Sequence, residues 1–503
     1  MRLSLLSLLM IGSVAHAAVP LQDITVQQAT ALMQQQQLSS VELTQYYLQQ
    51  IKTLDDAGPK LNAIVDMNPD ALQQAAAMDA ERQNGKVRSA LHGIPVVLKA
   101  NIATADQMPT TAGALALKDF KTNEDATLVT QLRAAGAVIL AKANLSEWAN
   151  FRGEGSASGW SALGGQTKNP YLTTHSPCGS SSGSGVAVAA DLTLLAVGTE
   201  TDGSIVCPAS MNAVVGLKPT RDSVPGQGII PIAHAQDIAG PMARTVADAA
   251  ALLEVLQTKE AKQKTGPVLD KDWLPKKVVL VRAFDKNFPA IQLMLDKAEA
   301  AFLVAGVQVQ TVTSWQLPEQ LYKDELDVLV YEFSRDLAAW LKDYQVPDKV
   351  NTVQKLVDFN QQQGKKALAF YGQEYLQQAA ALDLAKQQQA YQQALVNSRA
   401  LAEQHLDQYL KQAGADLILI PTYGPAWPID HVKGDQFNFG TSTAAAVAGY
   451  PNLSLPGGFA ADLPLGLSLT GLPWSEQKLL AAGRFLEQKL QGRKAPQFLS
   501  KAR

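Results

Sequence analysis

The sequence predicts an α/β protein in which a mixed central sheet is covered by helices. Five short runs rich in Val, Ile or Leu are typical of strands buried on both faces; they span residues 95–98, 138–141, 194–198, 278–281 and 417–420. Stretches with apolar residues at helical spacing alternate with these runs along the chain. Such alternation of strand and helix patterns is typical of an α/β fold.

The helical stretches follow in chain order. Residues 25–36 and 40–54 show apolar residues at helical spacing, and each stretch opens with a Ser or a Thr, as helix N-termini commonly do. The run 186–190 is small and apolar, and it predicts a buried helix that begins at the preceding Gly/Ser turn. Residues 315–410 are rich in Gln, Ala and Leu. We expect helices there that cap the functional site.

The length of 503 residues would by itself suggest about three domains. The motifs described below lie near residues 99, 180, 204, 237 and 450, and they have to converge on one site. The sequence therefore predicts a single domain over residues 18–503. The formal net charge of −3 gives no electrostatic reason to expect a nucleic acid or an anionic membrane as a partner. The sequence leaves the oligomeric state open.

The first 17 residues have the pattern of a signal peptide. Arg2 provides a positive start, residues 3–14 are apolar, and Ala15-His16-Ala17 has the small-x-small form of a cleavage site. The pattern predicts cleavage after Ala17 and an exported protein, periplasmic or secreted. The alternative is a retained anchor or a buried N-terminal helix. No later stretch is long and apolar enough to predict a membrane span.

Two serine-rich loops and one lysine carry the chemistry that the sequence suggests. The loops are PCGSSSGSG at 177–185 and GTETDGS at 198–204, and Lys99 ends the apolar run of HGIPVVLKANI. A serine hydroxyl is a weak nucleophile without an adjacent base, and a lysine can serve as that base if burial keeps it neutral. Glycine-rich backbone beside Ser204 can direct N–H groups toward an oxyanion. The pattern therefore indicates a hydrolase site without histidine.

These segments resemble the amidase signature family. Ser180 and Ser204 are 24 residues apart, as the family's bridging serine and nucleophile are. Residues 237–248 resemble its D-x-x-G-P-x-x-R-x-V-x-D segment, and residues 448–458 resemble its closing strand. The resemblance implies a single α/β/α core and an amidase in which Ser204 is the nucleophile, Ser180 is a bridging serine held by a cis peptide, and Lys99 is the base.

The resemblance also implies the remaining parts of the site. The N–H groups of Thr201, Asp202 and Gly203 form the oxyanion hole with that of Ser204, and Ser181 supports the site. No metal or organic cofactor is required, and the substrate is a small-molecule or peptide amide. The segment GTETDGSIVCPA is most similar to the peptide-amidase branch. Relatives often have Gly in place of Asp202 and Arg in place of Val206, so we expect neutral amides to be preferred over anionic ones.

Two other functions stay open at this stage. One is a glutamine-amidase subunit of a tRNA-dependent amidotransferase, against which the predicted export counts. The other is a non-catalytic protein whose Gly/Ser loop binds an anion, although no Gly-Lys-Ser/Thr follows that loop.

The two cysteines also allow two interpretations. A disulfide between Cys178 and Cys207 requires Cα atoms within about 7 Å of each other. Because the cysteines are offset from the two serines, their side chains can diverge, which favours two small buried apolar groups over a bridge.

Overall fold

The computed structural model describes residues 20–266 and 273–502, and the predicted signal peptide at residues 1–17 lies outside them. In the described chain, eleven strands form one sheet in the order β1-β3-β2-β6-β8-β7-β12-β13-β11-β9-β10, and two short strands form a separate ribbon. The strands are β1 (Ile64–Met67), β2 (Pro95–Lys99), β3 (Val138–Ala143), β4 (Trp160–Ser161), β5 (Gly165–Gln166), β6 (Leu195–Glu200), β7 (Val215–Lys218), β8 (Ile238–Ala243), β9 (Lys277–Val281), β10 (Gln308–Val312), β11 (Leu417–Pro421), β12 (Asn452–Ala460) and β13 (Leu463–Thr470).

The predicted mixed sheet is confirmed. The five apolar runs form β2, β3, β6, β9 and β11. Strand β2 pairs in parallel with β3 and β6, whereas β8 pairs antiparallel with β6 and β7. Parallel neighbours place their carboxyl ends at one edge of the sheet. The ends of β2 and β6, which carry Lys99 and Glu200, therefore lie next to each other.

Fifteen α-helices are present in the described residues, and they bear out the predicted helical layers. They are α1 (Val26–Gln34), α2 (Ser40–Gln50), α3 (Ala71–Gln83), α4 (Thr127–Ala134), α5 (Ser182–Ala189), α6 (Val206–Met211), α7 (Val246–Leu256), α8 (Lys259–Thr265), α9 (Pro289–Val304), α10 (Glu319–Asp343), α11 (Val353–Gln363), α12 (Glu374–Ala381), α13 (Leu384–Asp407), α14 (Thr443–Ala448) and α15 (Glu476–Leu490).

The first two helices begin with capping boxes. The Thr25 side chain accepts a hydrogen bond from the N–H of Gln28, and the Ser39 side chain accepts one from the N–H of Glu42, while the side chains of Gln28 and Glu42 bond back to the capping residues. The cap of α2 is thus Ser39 and not Ser40. A π-helical turn continues α2 over Ile51–Asp56, which accounts for the predicted helical pattern up to residue 54.

The segment 315–410 is helical, as predicted, and contains α10 to α13. An apolar cluster packs α10, α11 and α12 against the segment that follows β3, through Phe333, Leu337 and Trp340 on α10 and Trp148 and Phe151 on that segment. This contact fixes the helices beside the serine loops. None of the helices in the described ranges combines the length and the hydropathy that a membrane-spanning helix needs.

Candidate active site

Lys99 ends β2 in the interior of the protein. Its side chain is fully buried, and its Nζ donates hydrogen bonds to Ser180 Oγ at 2.7 Å, to Thr199 Oγ1 at 2.9 Å and to the carbonyl oxygen of Thr199 at 3.1 Å. Burial lowers the pKa of Lys99 to about 7, against the opposing fields of Asp237 and Glu200. A lysine with this pKa is neutral in a large part of its population at neutral pH, so it can accept a proton.

Ser180 lies in the loop before α5, and its side chain is fully buried. The Gly179–Ser180 peptide bond is cis, as the resemblance implied. The Gly/Ser tract is not a linker, because every residue from Ser182 to Ala189 is buried in α5 and Ser182 Oγ donates to the carbonyl oxygen of Cys178 at 2.6 Å. The tract holds Ser180 against Lys99.

Ser181 joins this loop to β6 and to Ser204. Its Oγ donates to the carbonyl oxygen of Thr199 at 3.0 Å and accepts from the N–H of Thr199 at 3.1 Å. Its N–H donates to the carbonyl oxygen of Ser204 at 3.1 Å. The two serine loops are therefore in direct contact, with Ser181 as the residue that links them.

Ser204 lies in the turn between β6 and α6 and is 7% exposed. No hydrogen bond between its Oγ and another residue of the described chain is present, including Ser180. The site therefore brings Lys99 and Ser180 into hydrogen-bond contact, whereas Ser204 stands beside them with a free hydroxyl. Catalytic hydrogen bonds are often completed only when substrate binds.

The turn before Ser204 presents free backbone donors. The N–H groups of Thr201, Asp202, Gly203 and Ser204 make no hydrogen bond to any described residue, although this loop is largely buried. Gly203 has φ +74°, and a Cβ there would lie 2.5 Å from the hydroxyl oxygen of Tyr423. Only glycine fits this position. The turn can therefore donate several N–H groups to an oxyanion.

Glu200 was not among the predicted site residues, although it lies in the GTETDGS motif. Its Oε2 accepts from the N–H groups of Ile205 at 2.7 Å and Val206 at 3.0 Å. These are the first N–H groups at the start of α6, which would otherwise be without partners. Glu200 therefore fixes both ends of the turn that carries Ser204.

Asn101 and Thr199 also escaped sequence analysis. Asn101 Nδ2 donates to Thr199 Oγ1 at 3.1 Å, the same oxygen that accepts from Lys99. Asn101 lies two residues after Lys99 and Thr199 lies inside the quoted loop, but nothing in the sequence pairs them. Asp237, in the recognised D-x-x-G-P segment, accepts from Thr201 Oγ1 at 2.5 Å, and burial raises its pKa to about 7.

A disulfide joins Cys178 to Cys207, with the Cα atoms 5.9 Å apart. The alternative of two free apolar cysteines is therefore wrong. Cys178 lies beside Ser180 and Cys207 lies in the first turn of α6, and both pack in one small apolar cluster with Met211, Ala426 and Trp427. Because Ser181 ties the two loops together, the cysteine side chains converge rather than diverge.

Two cavities are lined in part by α10, and the first of them reaches Thr201 in the turn that carries Ser204. One, of about 450 Å³, is lined by Asn101, Thr199 and Thr201 and by the segment 226–232. The other, of about 370 Å³, is bounded by residues 150–156, by α10 and by residues 433–437. We call the second the cap groove. The predicted capping role of segment 315–410 is consistent with the contribution of α10 to both cavities.

Asp202 and Val206, at which this chain departs from many relatives, occupy different environments. Val206 is fully buried in α6. Asp202 accepts at Oδ2 from Thr443 Oγ1 at 2.7 Å, at the start of α14. Burial raises the pKa of Asp202.

Comparison with known protein families gives one match over most of the chain. The family model described as Amidase matches residues 42–480. A probable amidase from Arabidopsis thaliana is 32% identical over 498 residues, covering 95% of this chain and 92% of the relative. A glutamyl-tRNA(Gln) amidotransferase subunit from Cereibacter sphaeroides is 33% identical over 495 residues, covering 93% of this chain and 97% of that protein.

Solved structures of higher identity share the fold. The native peptide amidase of Stenotrophomonas maltophilia is 44% identical, with a TM-score of 0.88 over 95% of this chain and 99% of that one.

Proposed function

The chain belongs to the amidase family and is a hydrolase that acts on amides, and from this premise we propose that it cleaves small amides or the terminal carboxamide of short peptides through an acyl-enzyme on Ser204. The observation that carries this proposal is the 2.7 Å hydrogen bond from buried Lys99 to Ser180, made beside a turn whose N–H groups are unoccupied. The 44% identity to a peptide amidase supports the substrate class.

The proposed mechanism uses the contacts of the site in order. Neutral Lys99 accepts the proton of Ser180 Oγ, and Ser180 accepts the proton of Ser204 as Ser204 Oγ attacks the amide carbonyl carbon. The free N–H groups of Thr201 to Ser204 hold the negative charge that develops on the carbonyl oxygen. The relay returns the proton to the departing ammonia or amine. Water then attacks the acyl-enzyme, and the same groups transfer its proton and release Ser204.

Export of the protein is part of the proposal. The signal-peptide pattern of residues 1–17 supports it, as does the Cys178–Cys207 disulfide, because disulfides persist mainly in oxidising compartments. The function as part of an amidotransferase receives less support, since the identity to the Cereibacter sphaeroides protein is 33% against 44% for the peptide amidase. Secretion of the full-length chain, followed by sequencing of the mature N-terminus, tests the predicted cleavage after Ala17.

Labelling with a serine-reactive fluorophosphonate, followed by peptide mass mapping, tests the site. We expect a single labelled peptide containing Ser204, and no label in the Ser204→Ala variant. An unlabelled protein would favour the anion-binding function of the Gly/Ser loop. Hydrolysis of a panel of amino-acid amides, amidated dipeptides and long-chain fatty amides then tests the substrate class, and we expect the first two groups to react faster than the third.

A further inference from the structure

Two carboxyl groups near the turn that carries Ser204 interact electrostatically. Asp202 belongs to the turn itself, and Glu325 lies on α10 and is only 6% exposed. Gln236 Nε2 donates to Glu325 Oε1 at 2.9 Å and to the carbonyl oxygen of Thr201 at 3.2 Å. The side-chain amide of Gln236 therefore connects Glu325 on α10 to Thr201, the residue before Asp202. After burial, the field of Asp202 is the main cause that raises the pKa of Glu325.

The pair has more acceptor oxygens than the protein satisfies. Asp202 Oδ2 accepts from Thr443, and the nearby Ser442 hydroxyl also lowers the pKa of Asp202, but no donor of the described chain has hydrogen-bond geometry to the buried Asp202 Oδ1. Glu325 Oε1 accepts from Gln236, and none of the hydrogen bonds in the described chain reaches Glu325 Oε2. Buried carboxylate oxygens without donors are costly. Asp202 Oδ1 is such an oxygen, so a donor from outside the chain would be stabilised beside it.

The protein also supplies no direct countercharge. Among the described residues, neither Asp202 nor Glu325 forms an ion pair within 4.0 Å. Lys218 is the cation whose field acts on Asp202, but its Nζ donates to the carbonyl oxygen of Pro219, and burial lowers its pKa to about 8. Lys218 also faces Glu200, Glu476 and Arg221, so the three carboxyl groups around it, including Asp202, outnumber the two cations.

Glu325 is accessible from the cap groove. It lines the groove together with Tyr322, Leu326 and Phe437, whose exposed fractions are 50%, 41% and 54%. Three acidic side chains line this groove, Glu154, Glu325 and Asp435, against one lysine, Lys433. Carboxyl groups therefore outnumber ammonium groups in this groove, and although burial raises the pKa of Glu325 and Asp435, a bound cation would favour their charged forms. The exposed apolar side chains provide a surface for the carbon skeleton that carries the cation.

We propose that Asp202 and Glu325 form a subsite for the α-ammonium group of an amino-acid amide. This inference rests on the proposed function and adds the substrate class to it. In such a substrate the ammonium nitrogen is bonded to the carbon next to the carbonyl carbon, so it lies close to the atom that Ser204 attacks. Asp202 is two residues before Ser204. Because burial raises the pKa of both carboxyl groups, binding of the ammonium group would release a proton from the pair, and its three N–H groups would then donate to the carboxylate oxygens.

The test compares two amides that differ only in the ammonium group, L-leucinamide and 4-methylpentanamide. Their kcat/KM ratio is measured for the wild-type enzyme and for Glu325→Gln, so that the intrinsic reactivity of each amide cancels between the proteins. We expect the ratio of leucinamide to 4-methylpentanamide to fall at least about tenfold in Glu325→Gln, since hydrogen bonds between charged groups are lost. Asp202→Asn, which keeps its backbone N–H, is expected to lower the ratio as well.

Asp324→Asn is the matched control. Asp324 is the neighbouring residue on α10 with the same 6% exposure, but it does not line the cap groove and accepts from Gln320. We expect this variant to leave the ratio unchanged. A ratio that is equal in the wild type and in Glu325→Gln would overturn the subsite. A fall of the same size in Asp324→Asn would also overturn it, because a general effect on α10 would then be the cause.

Binding to the inactive Ser204→Ala protein separates the subsite from the proposed function. In calorimetry, we expect L-leucinamide to bind more tightly than 4-methylpentanamide, and the difference to disappear when Glu325→Gln is added. Equal affinities overturn the subsite even if both amides are hydrolysed. If the wild type hydrolyses neither these two amides nor the amidated dipeptides of the panel, the proposed function fails, and the binding difference still decides the subsite.

Discussion

The carboxylate of Glu200 accepts a hydrogen bond from the backbone N–H of Ile205, 2.7 Å away, across the turn that carries Ser204. A second bond, from the N–H of Val206 at 3.0 Å, reaches the same oxygen. The side chain at the end of β6 thereby holds the start of α6. The N–H groups of residues 201–204, which lie between these two anchored ends, are left without hydrogen-bond partners in the described chain. Their availability to a substrate therefore depends on Glu200, which acts by positioning the turn.

The first prediction concerns this positioning role. Glu200→Ala should lower kcat by about tenfold to a hundredfold, because two hydrogen bonds to a charged group are lost and the turn relaxes. Glu200→Gln, which keeps an acceptor oxygen, should lose less. The control is Glu476→Ala, since Glu476 is also fully buried and accepts from the N–H of Thr220 at 2.7 Å, far along the chain from Ser204. It should lower Tm without a comparable change in kcat. Unchanged kcat in Glu200→Ala would refute the role.

The second prediction is that Ser204→Ala lowers kcat by more than about a thousandfold, since the covalent route is lost. The fold should persist, because the Ser204 hydroxyl makes no hydrogen bond in the described chain. Ser210→Ala, in the helix α6 that follows Ser204, is the control. Its Oγ is buried without a partner, so its removal should leave activity and Tm nearly unchanged. Residual activity in Ser204→Ala above one part in about a thousand would indicate another nucleophile.

The sequence predicted the parts of this molecule whose signal is local. The strands that carry Lys99 and Thr199 are apolar runs buried on both faces, and the spacing of Ser180 and Ser204 matched a family pattern. Glu325 gave no signal in the sequence. It lies on α10, more than a hundred residues after Ser204 in the chain, and only the fold brings it near the turn that carries Ser204. The disulfide was missed for a related reason: the contact through Ser181 that brings Cys178 to Cys207 is visible only in three dimensions.

The third prediction concerns pH. Lys99 must be neutral to accept a proton, and its pKa of about 7 means that protonation at lower pH removes the base. The acid limb of kcat/KM should therefore fall about tenfold per pH unit below pH 7, and activity should persist into mildly alkaline solution. Lys142→Met is a control, because Lys142 is equally buried on β3 with a pKa of about 8 but contacts Ile102 and Thr110 instead. Replacing Lys142 should leave the acid limb of the kcat/KM profile at the same pH. A profile that peaks below pH 5 would point to a carboxylate base.

The fourth prediction concerns the disulfide. The bond closes a loop in which the cysteines are 29 residues apart, so Cys178→Ser/Cys207→Ser should lower the free energy of unfolding by about 3.6 kcal/mol. Urea unfolding measures this change, and kcat should also fall because both serine loops are released. Dithiothreitol should lower the free energy of unfolding of the wild type to that of the variant. It should leave the free energy of unfolding of the variant unchanged. A variant as stable as the wild type would show that the contacts of Ser181 alone hold the loops.

The last prediction concerns substrate charge on the acyl side. Asp202 lies beside the nucleophile with an unpartnered oxygen, and Val206 offers no positive charge, so a carboxylate next to the scissile amide should meet like charge. We expect kcat/KM for malonamate to be at least about tenfold lower than for its methyl ester, since like-charge juxtaposition costs several kcal/mol.

Asp202→Gly should narrow the gap between these two amides, because it removes the carboxyl group and keeps the backbone N–H that faces the oxyanion. Asp222→Asn, at a side chain that is 67% exposed, should leave the gap unchanged, which separates the local charge from the overall charge of the protein. If malonamate were the better substrate and Asp202→Gly left the ratio unchanged, the carboxylate would have a cationic partner elsewhere. Lys433 in the cap groove would then be the first residue to replace, since it is the lysine that lines this groove.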